Sequence, residues 1–350
     1  MGLSGTGLSC FETTPFHMSG QKERGEVIDL SAFRIGVLGS GDIARRISRA
    51  LRPVEEVTLY CVASRHRENA ERLACEFGYT KVHDTYEAVI GDPEVDLVYI
   101  GLLHPLHHPY AMKCLAAGKP VLCEKPFAMN LSQAEEMVEG FQRSGLFLGE
   151  ALWTRFLPAR QFVETVLAED RIGRIVLADV NMICNIAHLD RMTNPEKGGG
   201  ALLDLGVYAL NFIDMFLGLD YADMHTFCSR HATGVDDTEV VALEYPDGRL
   251  AACKISMSGC GNPRGILYGT KGRIEVDDVM NFNRVTVYDS QNNPMDQFDL
   301  ETGKTGYEYE FLACRKAISK GRMEFEEMPL SATLGLMRQY DRLRGAWGDL

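Results

Sequence analysis

A strand–turn–helix–strand unit at 34–65 constrains the fold of this chain more than any other stretch. Arg34-Ile35-Gly36-Val37-Leu38 reads as a strand, Gly39-Ser40-Gly41 as a tight turn and Asp42-Ile43-Ala44 as the entry to a helix; a second strand ends at Ala63-Ser64-Arg65. That order is the dinucleotide-binding fingerprint, with Ala44 in its third small position. Gly39 permits the turn, Gly41 lets the backbone approach a pyrophosphate, and the helix N-terminus offers free N–H groups and a positive dipole end to the phosphates. Gly39, Ser40, Gly41, Asp42 and Ile43 are therefore candidate cofactor-binding residues. At the end of the second strand an acidic residue would hold the ribose 2′-hydroxyl of NAD. The chain instead offers Ser64 and Arg65, with His66 and Arg67 behind them. A hydroxyl and a guanidinium suit a 2′-phosphate, so NADP is expected rather than NAD.

The rest of the chain supports this unit. From 34 to 152, strand patterns (34–38, 57–63, 96–101, 120–123, 146–150) alternate with helical ones (42–51, 67–77, 84–91, 107–117, 131–144), which predicts a doubly wound parallel sheet. After Trp153 the texture changes: a helix over 158–169, a strand over 174–182, the glycine run Gly198-Gly199-Gly200 and an apolar helix over 201–217. Closely spaced turn signals then separate β-rich runs, including Pro246-Asp247-Gly248 and Thr270-Lys271-Gly272, and predict an antiparallel sheet. Helices at 307–319 and 330–344 close the chain. The fold class is thus α/β: an N-terminal Rossmann domain at 34–152 and a C-terminal α+β substrate-binding and dimerisation domain at 153–350. The runs 239–243 and 251–255 put apolar residues on both faces of their strands, more than a solvated sheet face needs, so a homodimer through that sheet is expected. Residues 1–33, rich in Gly, Ser and Thr, read as a flexible tail that lacks the apolar core of a signal peptide.

Composition narrows the partners. A net charge of −13 argues against nucleic acid. The ten cysteines show no C-x-x-C spacing, as expected of reduced thiols in the cytoplasm. The longest apolar run, 201–217, is interrupted by Asp204, Asn211 and Asp214, so no membrane span is expected.

Several residues carry chemistry. Lys125, in Cys123-Glu124-Lys125-Pro126, directly follows an apolar strand, and ligands of open parallel sheets bind beyond the carboxyl ends of strands. It reads as a proton-transfer and cofactor-contacting residue beside Glu124, against the alternative of a solvated surface lysine. Within the helix at 201–217, Asp204, Tyr208 and Asn211 fall on one face. With a redox cofactor in view, Lys125, Tyr208 and Asp204 form a candidate proton-transfer group, in which a nearby ammonium would lower the phenol pKa. The alternative leaves Asp204 capping its helix and Tyr208 in the core. His104 and His107, in the loop after the strand ending at Gly101, and Trp153 and Arg155, at the crossover, are candidate cofactor contacts; Trp153 also reads as a substrate wall. The histidine spacing builds no metal site.

In series, Leu122-Cys123-Glu124-Lys125-Pro126, Glu150-Ala151-Leu152-Trp153-Thr154-Arg155-Phe156, Gly199-Gly200-Ala201-Leu202-Leu203-Asp204-Leu205-Gly206-Val207-Tyr208, Thr233-Gly234-Val235-Asp236-Asp237-Thr238 and Gly269-Thr270-Lys271-Gly272 resemble the Gfo/Idh/MocA oxidoreductases. Within them the chain is similar to the trans-1,2-dihydrobenzene-1,2-diol (dihydrodiol) dehydrogenase group. The resemblance runs from 34 to the end. It implies NADP dependence, an open-faced sheet domain that dimerises, and a catalytic Lys125, Tyr208 and Asp204 with His107 nearby. Many relatives carry histidine where Tyr208 stands. The likeness fades at 186–197, where His188 and Arg191 are candidate substrate contacts; an aromatic dihydrodiol, a sugar and a cyclic polyol all stay open as substrates. The expected activity is hydride transfer between nicotinamide and a secondary alcohol or sugar hemiacetal, with a non-catalytic NADP-sensing regulator as the alternative.

Overall fold

The computed structural model describes residues 33–301 and 303–348. The expected tail lies outside them except for Phe33, which opens the first strand. Strands and helices then alternate: β1 (Phe33–Leu38), α1 (Asp42–Leu51), β2 (Val57–Ala63), α2 (Arg67–Phe77), β3 (Lys81–His83), α3 (Tyr86–Ile90), β4 (Leu97–Ile100), α4 (His107–Ala116), β5 (Val121–Glu124), α5 (Leu131–Ser144) and β6 (Leu148–Ala151). The six strands form one parallel sheet in the order β3-β2-β1-β4-β5-β6, the Rossmann arrangement. Its middle strands are covered on both faces: Leu97, Val98, Tyr99 and Ile100 of β4 are all fully buried. Helix ends obey local chemistry. Asn130 caps α5 by accepting the Gln133 N–H at 2.9 Å, and Gly78 and Gly145 end α2 and α5 in the left-handed conformation.

The second sheet has eight strands. After α6 (Pro158–Ala168) come β7 (Ile175–Ile183), the short α7 (Asp190–Thr193) and α8 (Val207–Leu217). Strands β8 (Asp223–Arg230), β9 (Asp236–Glu244), β10 (Leu250–Ser256), β11 (Arg264–Gly269), β12 (Gly272–Asp277), β13 (Arg284–Asp289) and β14 (Pro294–Asp299) follow, then α9 (Tyr307–Ser319) and α10 (Leu330–Ala346). The order is β14-β13-β12-β11-β7-β10-β9-β8; β7 and β10 pair in parallel and the other neighbours are antiparallel. Helix α8 packs on β7 and β10 and covers one face. The other is open, with Phe227, Val240 and Leu250 exposed on it at 76%, 44% and 49%.

Strands β3, β8, β13 and β14 were not legible in the sequence. β3 has only three residues, and β8 and β14 are edge strands that mix polar and apolar residues and bury no residue fully, which weakens the period-2 signal. The apolar stretch was also underestimated. Pro195–Leu217, 23 residues with a mean hydropathy of 1.5 in its most apolar window, is long and apolar enough to cross a membrane, but 83% of that window is buried inside the fold. Packing makes it a core helix.

Candidate active site

The first half of the site is the turn after β1. Gly39 has φ of +110°, and a Cβ there would stand 2.4 Å from the Gly101 carbonyl oxygen, so only glycine fits. Gly41 starts α1 with no side-chain cap, and among the described residues nothing beyond its chain neighbours lies within 4 Å of where its Cβ would be. A helix start without a side-chain cap beside open space fits a pyrophosphate. Ser40 Oγ donates to Ser64 Oγ at 2.8 Å and ties the turn to the end of β2. Arg65 beside it is exposed and makes no ion pair among the described residues, whereas Arg67 is held by Glu71 and Asp84. Asp42 is bonded to Arg46 at 2.8 Å, and Ile43 packs on the core.

The second half centres on Lys125, at the carboxyl end of β5. Its ammonium donates to the Asp204 carboxylate Oδ1 and to the Asp204 backbone carbonyl, both at 2.9 Å, and lies 4.9 Å from the Tyr208 ring centroid. The other carboxylate oxygen of Asp204 is paired with Arg191 Nη1 at 2.9 Å. Burial alone would raise the Asp204 acid, but the charges of Lys125 and Arg191 outweigh it and hold the carboxyl well below the usual range. Tyr208 behaves in the opposite way. Burial, reinforced by the neighbouring Tyr307, Glu124, Asp204 and Glu310, pushes its phenol well up. The expectation that the ammonium lowers this phenol is therefore corrected: at 2% exposure, desolvation of a phenolate outweighs the cation.

Helix geometry brings this group together in an unforeseen way. Leu202–Gly206 is a π turn leading into α8, not the start of a regular α-helix. Such turns recur at functional sites, and here Asp204 and Tyr208 meet the same lysine while Asn211 bonds Arg155 and Thr154. The glycine run packs tightly beneath it: a Cβ on Gly200, at φ +126°, would meet the Asp236 carboxylate at 2.3 Å. That carboxylate accepts the Leu202 N–H at 2.7 Å and so caps the π turn.

Four other candidates make contacts within the protein that the sequence does not show. Both ring nitrogens of the buried His107 meet backbone carbonyls, Pro126 at 2.8 Å and Leu102 at 3.1 Å, so His107 braces the Lys125–Pro126 segment. His104 Nδ1 bonds the Gly198 carbonyl at 3.0 Å; burial, then His107, pulls its pKa down to about 3 despite Asp204 nearby, which keeps it neutral. Glu124 faces inward and accepts the Tyr99 hydroxyl at 2.5 Å, which props the sheet. Arg155, 6% exposed, bonds Asn211 at 2.5 Å and pairs with Asp214, which clamps the crossover to α8. His188 is exposed, with no contact to Lys125, Asp204 or Tyr208.

Trp153 is buried and packs against Tyr208 at 5.4 Å and Tyr307 at 4.2 Å, its indole N–H donated to the Met280 carbonyl. Tyr307, on α9, and Asp236, on β9, escaped the sequence reading because their roles come from distant segments meeting here. Away from this site, Cys61, His83 and Asp92 have ligand atoms within 4.8 Å of one another. There, however, the Lys81 ammonium holds the same Asp92 oxygen as His83, at 2.8 Å.

Burial raises the Glu124 acid to about 7. A carboxyl whose folded pKa exceeds its unfolded value of about 4.3 loses stability as pH rises between the two values. Glu124→Gln is expected to remove that loss, giving a higher melting temperature than wild type at pH 8 and a smaller gain, or none, at pH 4. Glu150, Glu239 and Glu310 shift in the same direction, so only the difference between wild type and variant isolates Glu124. Parallel melting curves across that range would contradict the expectation.

Comparison with known proteins agrees with this fold. The oxidoreductase family with an NAD-binding Rossmann fold (GFO_IDH_MocA) matches residues 33–151, and the GFO/IDH/MocA C-terminal domain matches 161–275. The mouse trans-1,2-dihydrobenzene-1,2-diol dehydrogenase is 33% identical over 330 residues, 91% of this chain and 97% of that protein. The human enzyme of that name is 36% identical over 248 residues, 70% of this chain and 74% of its own length. Among solved structures, a 3-ketoreductase from Actinomadura kijaniata in complex with NADP and TDP-benzene superposes with a TM-score of 0.80 at 27% identity, covering 90% of this chain and 97% of that one. An aldose-aldose oxidoreductase from Caulobacter crescentus shares the fold, with a TM-score of 0.81 at 22% identity over 90% of this chain and 97% of its own.

Proposed function

The chain belongs to the GFO/IDH/MocA oxidoreductase family, and from that premise we propose that it is an NADP-dependent dehydrogenase of a polyol, sugar or cyclic diol, interconverting a secondary alcohol and a ketone or a hemiacetal and a lactone. One observation carries this reading: the Lys125 ammonium, fixed by Asp204 against the Tyr208 ring, at the same carboxyl end of the sheet as the uncapped α1. Nicotinamide, when bound, supplies the hydride acceptor or donor. The turn Gly39-Ser40-Gly41 and the first turn of α1, with Asp42 and Ile43, would hold the pyrophosphate, and Ser64 and Arg65 the 2′-phosphate.

Of the three Lys125 N–H donors, two go to Asp204, which leaves one for a substrate oxygen. The protonated Tyr208 phenol offers a second donor to that oxygen. During ketone reduction the pair gives one proton to the substrate oxygen and is left one proton short; alcohol oxidation starts from that deprotonated pair, which takes the hydroxyl proton back, shared between phenol and amine. Asp204 stays ionised and keeps the lysine in place, while Trp153 and Tyr307 shut water out behind Tyr208. Purified protein with NADP over a panel of polyols, sugars and cyclic diols, followed by nicotinamide absorbance, tests the reading. Tight NADP binding with no turnover on any of them would favour a sensor instead.

The exposed Arg65 sets the cofactor prediction. NADP should bind about tenfold or more tightly than NAD, and Arg65→Ala should weaken NADP by roughly 1–3 kcal/mol while leaving NAD unchanged. Calorimetric titration of both cofactors checks it; equal affinities in wild type would rule out the assignment.

The open sheet face supports a homodimer as part of the same reading. Phe227 and Val240 are cross-strand neighbours there, both exposed. Phe227→Asp is expected to turn a dimer into a monomer in sedimentation; a monomeric wild type at micromolar concentration would defeat the idea. The nine described cysteines are all free thiols, which supports a reducing compartment such as the cytoplasm.

A further inference from the structure

Two cations share one carboxylate at the centre of this site. Lys125 already balances Asp204, bonding its Oδ1 and its backbone carbonyl at 2.9 Å, yet the Arg191 guanidinium forms a second ion pair with the other carboxylate oxygen, also at 2.9 Å. The Arg191 side chain is 43% exposed while Asp204 is 9% exposed, so the arginine stands on the solvent side of the pair. Its Nη1 takes Asp204 and the Met192 sulfur; among the described residues Nε and Nη2 have no partner. The backbone that carries it is fixed: the Met192 carbonyl accepts the Gly200 N–H at 2.9 Å, and the Asn194 carbonyl accepts the Gly199 N–H at 3.1 Å. Arg191 is thereby tied to the glycine run that leads into Asp204. The other acids nearby are engaged or turned away. Glu124 is buried against Tyr99, and Asp278, across Cys184, is held by the Met280 N–H and the Asn281 amide.

A neutral polyol needs no second cation here, since Asp204 and Lys125 already offer an acceptor and a donor. A planar guanidinium with one edge free matches a carboxylate or phosphate through paired, charge-assisted bonds. We propose that Arg191 anchors an anionic substituent, a carboxylate or a phosphate, on the substrate of this site; this rests on the reading of Lys125, Tyr208 and Asp204 as its catalytic centre. The substrate class then narrows to acidic or phosphorylated sugars and polyols, with the charged group on the 186–197 side of the reacting carbon.

Calorimetric titration of the protein–NADP complex with D-glucose, D-glucuronate and D-glucose 6-phosphate tests this, the last two separating carboxylate from phosphate. At least one anionic ligand should bind about tenfold or more tightly than glucose, the worth of a charge-assisted bond. That preference should fall to near parity in Arg191→Gln and return in part in Arg191→Lys, with thermal melting confirming that both variants fold. Equal behaviour of the three ligands toward wild type, including no binding by any, overturns the proposal. A preference that survives Arg191→Gln also overturns it. Turnover is scored separately. An Arg191-dependent preference without turnover keeps the anion site and removes the catalytic reading, whereas turnover without the preference does the reverse.

Discussion

Lys125→Met is expected to lower kcat by about 10²–10⁴, the usual worth of a positioned acid–base group, while NADP affinity changes far less. Methionine fills much of the same volume but has no proton to give and no bond to make. Removing the ammonium leaves Asp204 with Arg191 as its remaining cation, so the carboxylate is not stranded without a partner. Folding should therefore survive, and melting temperatures with and without NADP check that it does. Steady-state kinetics on the best substrate of the panel give the decisive value. Near-normal turnover would make Lys125 a structural partner of Asp204 and nothing more.

The second large effect is coupling. Lys125 and Tyr208 are in contact, 4.9 Å from ammonium to ring centroid, and Asp204 holds the lysine. If they pass one proton as a unit, Tyr208→Phe and Lys125→Met disable the same step, and their losses in transition-state free energy will not add. The double variant should be only slightly slower than the slower single one. Asp204→Asn should cut turnover and also move the pH–rate profile. Burial is the main reason that the Tyr208 phenol is pushed up, but the Asp204 charge contributes, so its removal should shift the basic limb to lower pH. Fully additive losses together with an unmoved profile would show three residues acting independently.

Much of this was legible because it is local. Helices α1, α2, α5 and α9 lie where their sequence patterns put them, with Gly78 and Gly145 ending α2 and α5 and Asn130 capping α5. The turn at Gly39 is readable for the same reason, since a positive φ beside a carbonyl selects glycine whatever the distant chain does. The motifs around Lys125 and Tyr208 singled out residues that the fold brings into contact, and Arg191, a substrate candidate in the sequence, pairs with Asp204 beside them. Their directions were less legible. Glu124 and Arg155 flank these motifs, yet one turns in to Tyr99 and the other to Asp214 and Asn211. A strand end or crossover can face either way, and burial with available partners decides it.

By itself the sequence determined the Rossmann half of this protein and its strand order class, and it carried the expectations of a 2′-phosphate preference and of a proposed proton-transfer group of Lys125, Tyr208 and Asp204. Those follow from backbone dihedrals, periodicity and side-chain chemistry within a few dozen residues. Only the tertiary structure decided how the group is charged and aimed. Lys125 and Asp204 are 79 positions apart, and their ion pair exists because β5 and the π turn before α8 meet. The burial that raises the Tyr208 phenol, the second cation on Asp204 and the cap that Asp236 gives Leu202 likewise depend on segments packed together from across the chain. Desolvation and Coulomb terms are set by distance in space, and sequence spacing does not encode that distance.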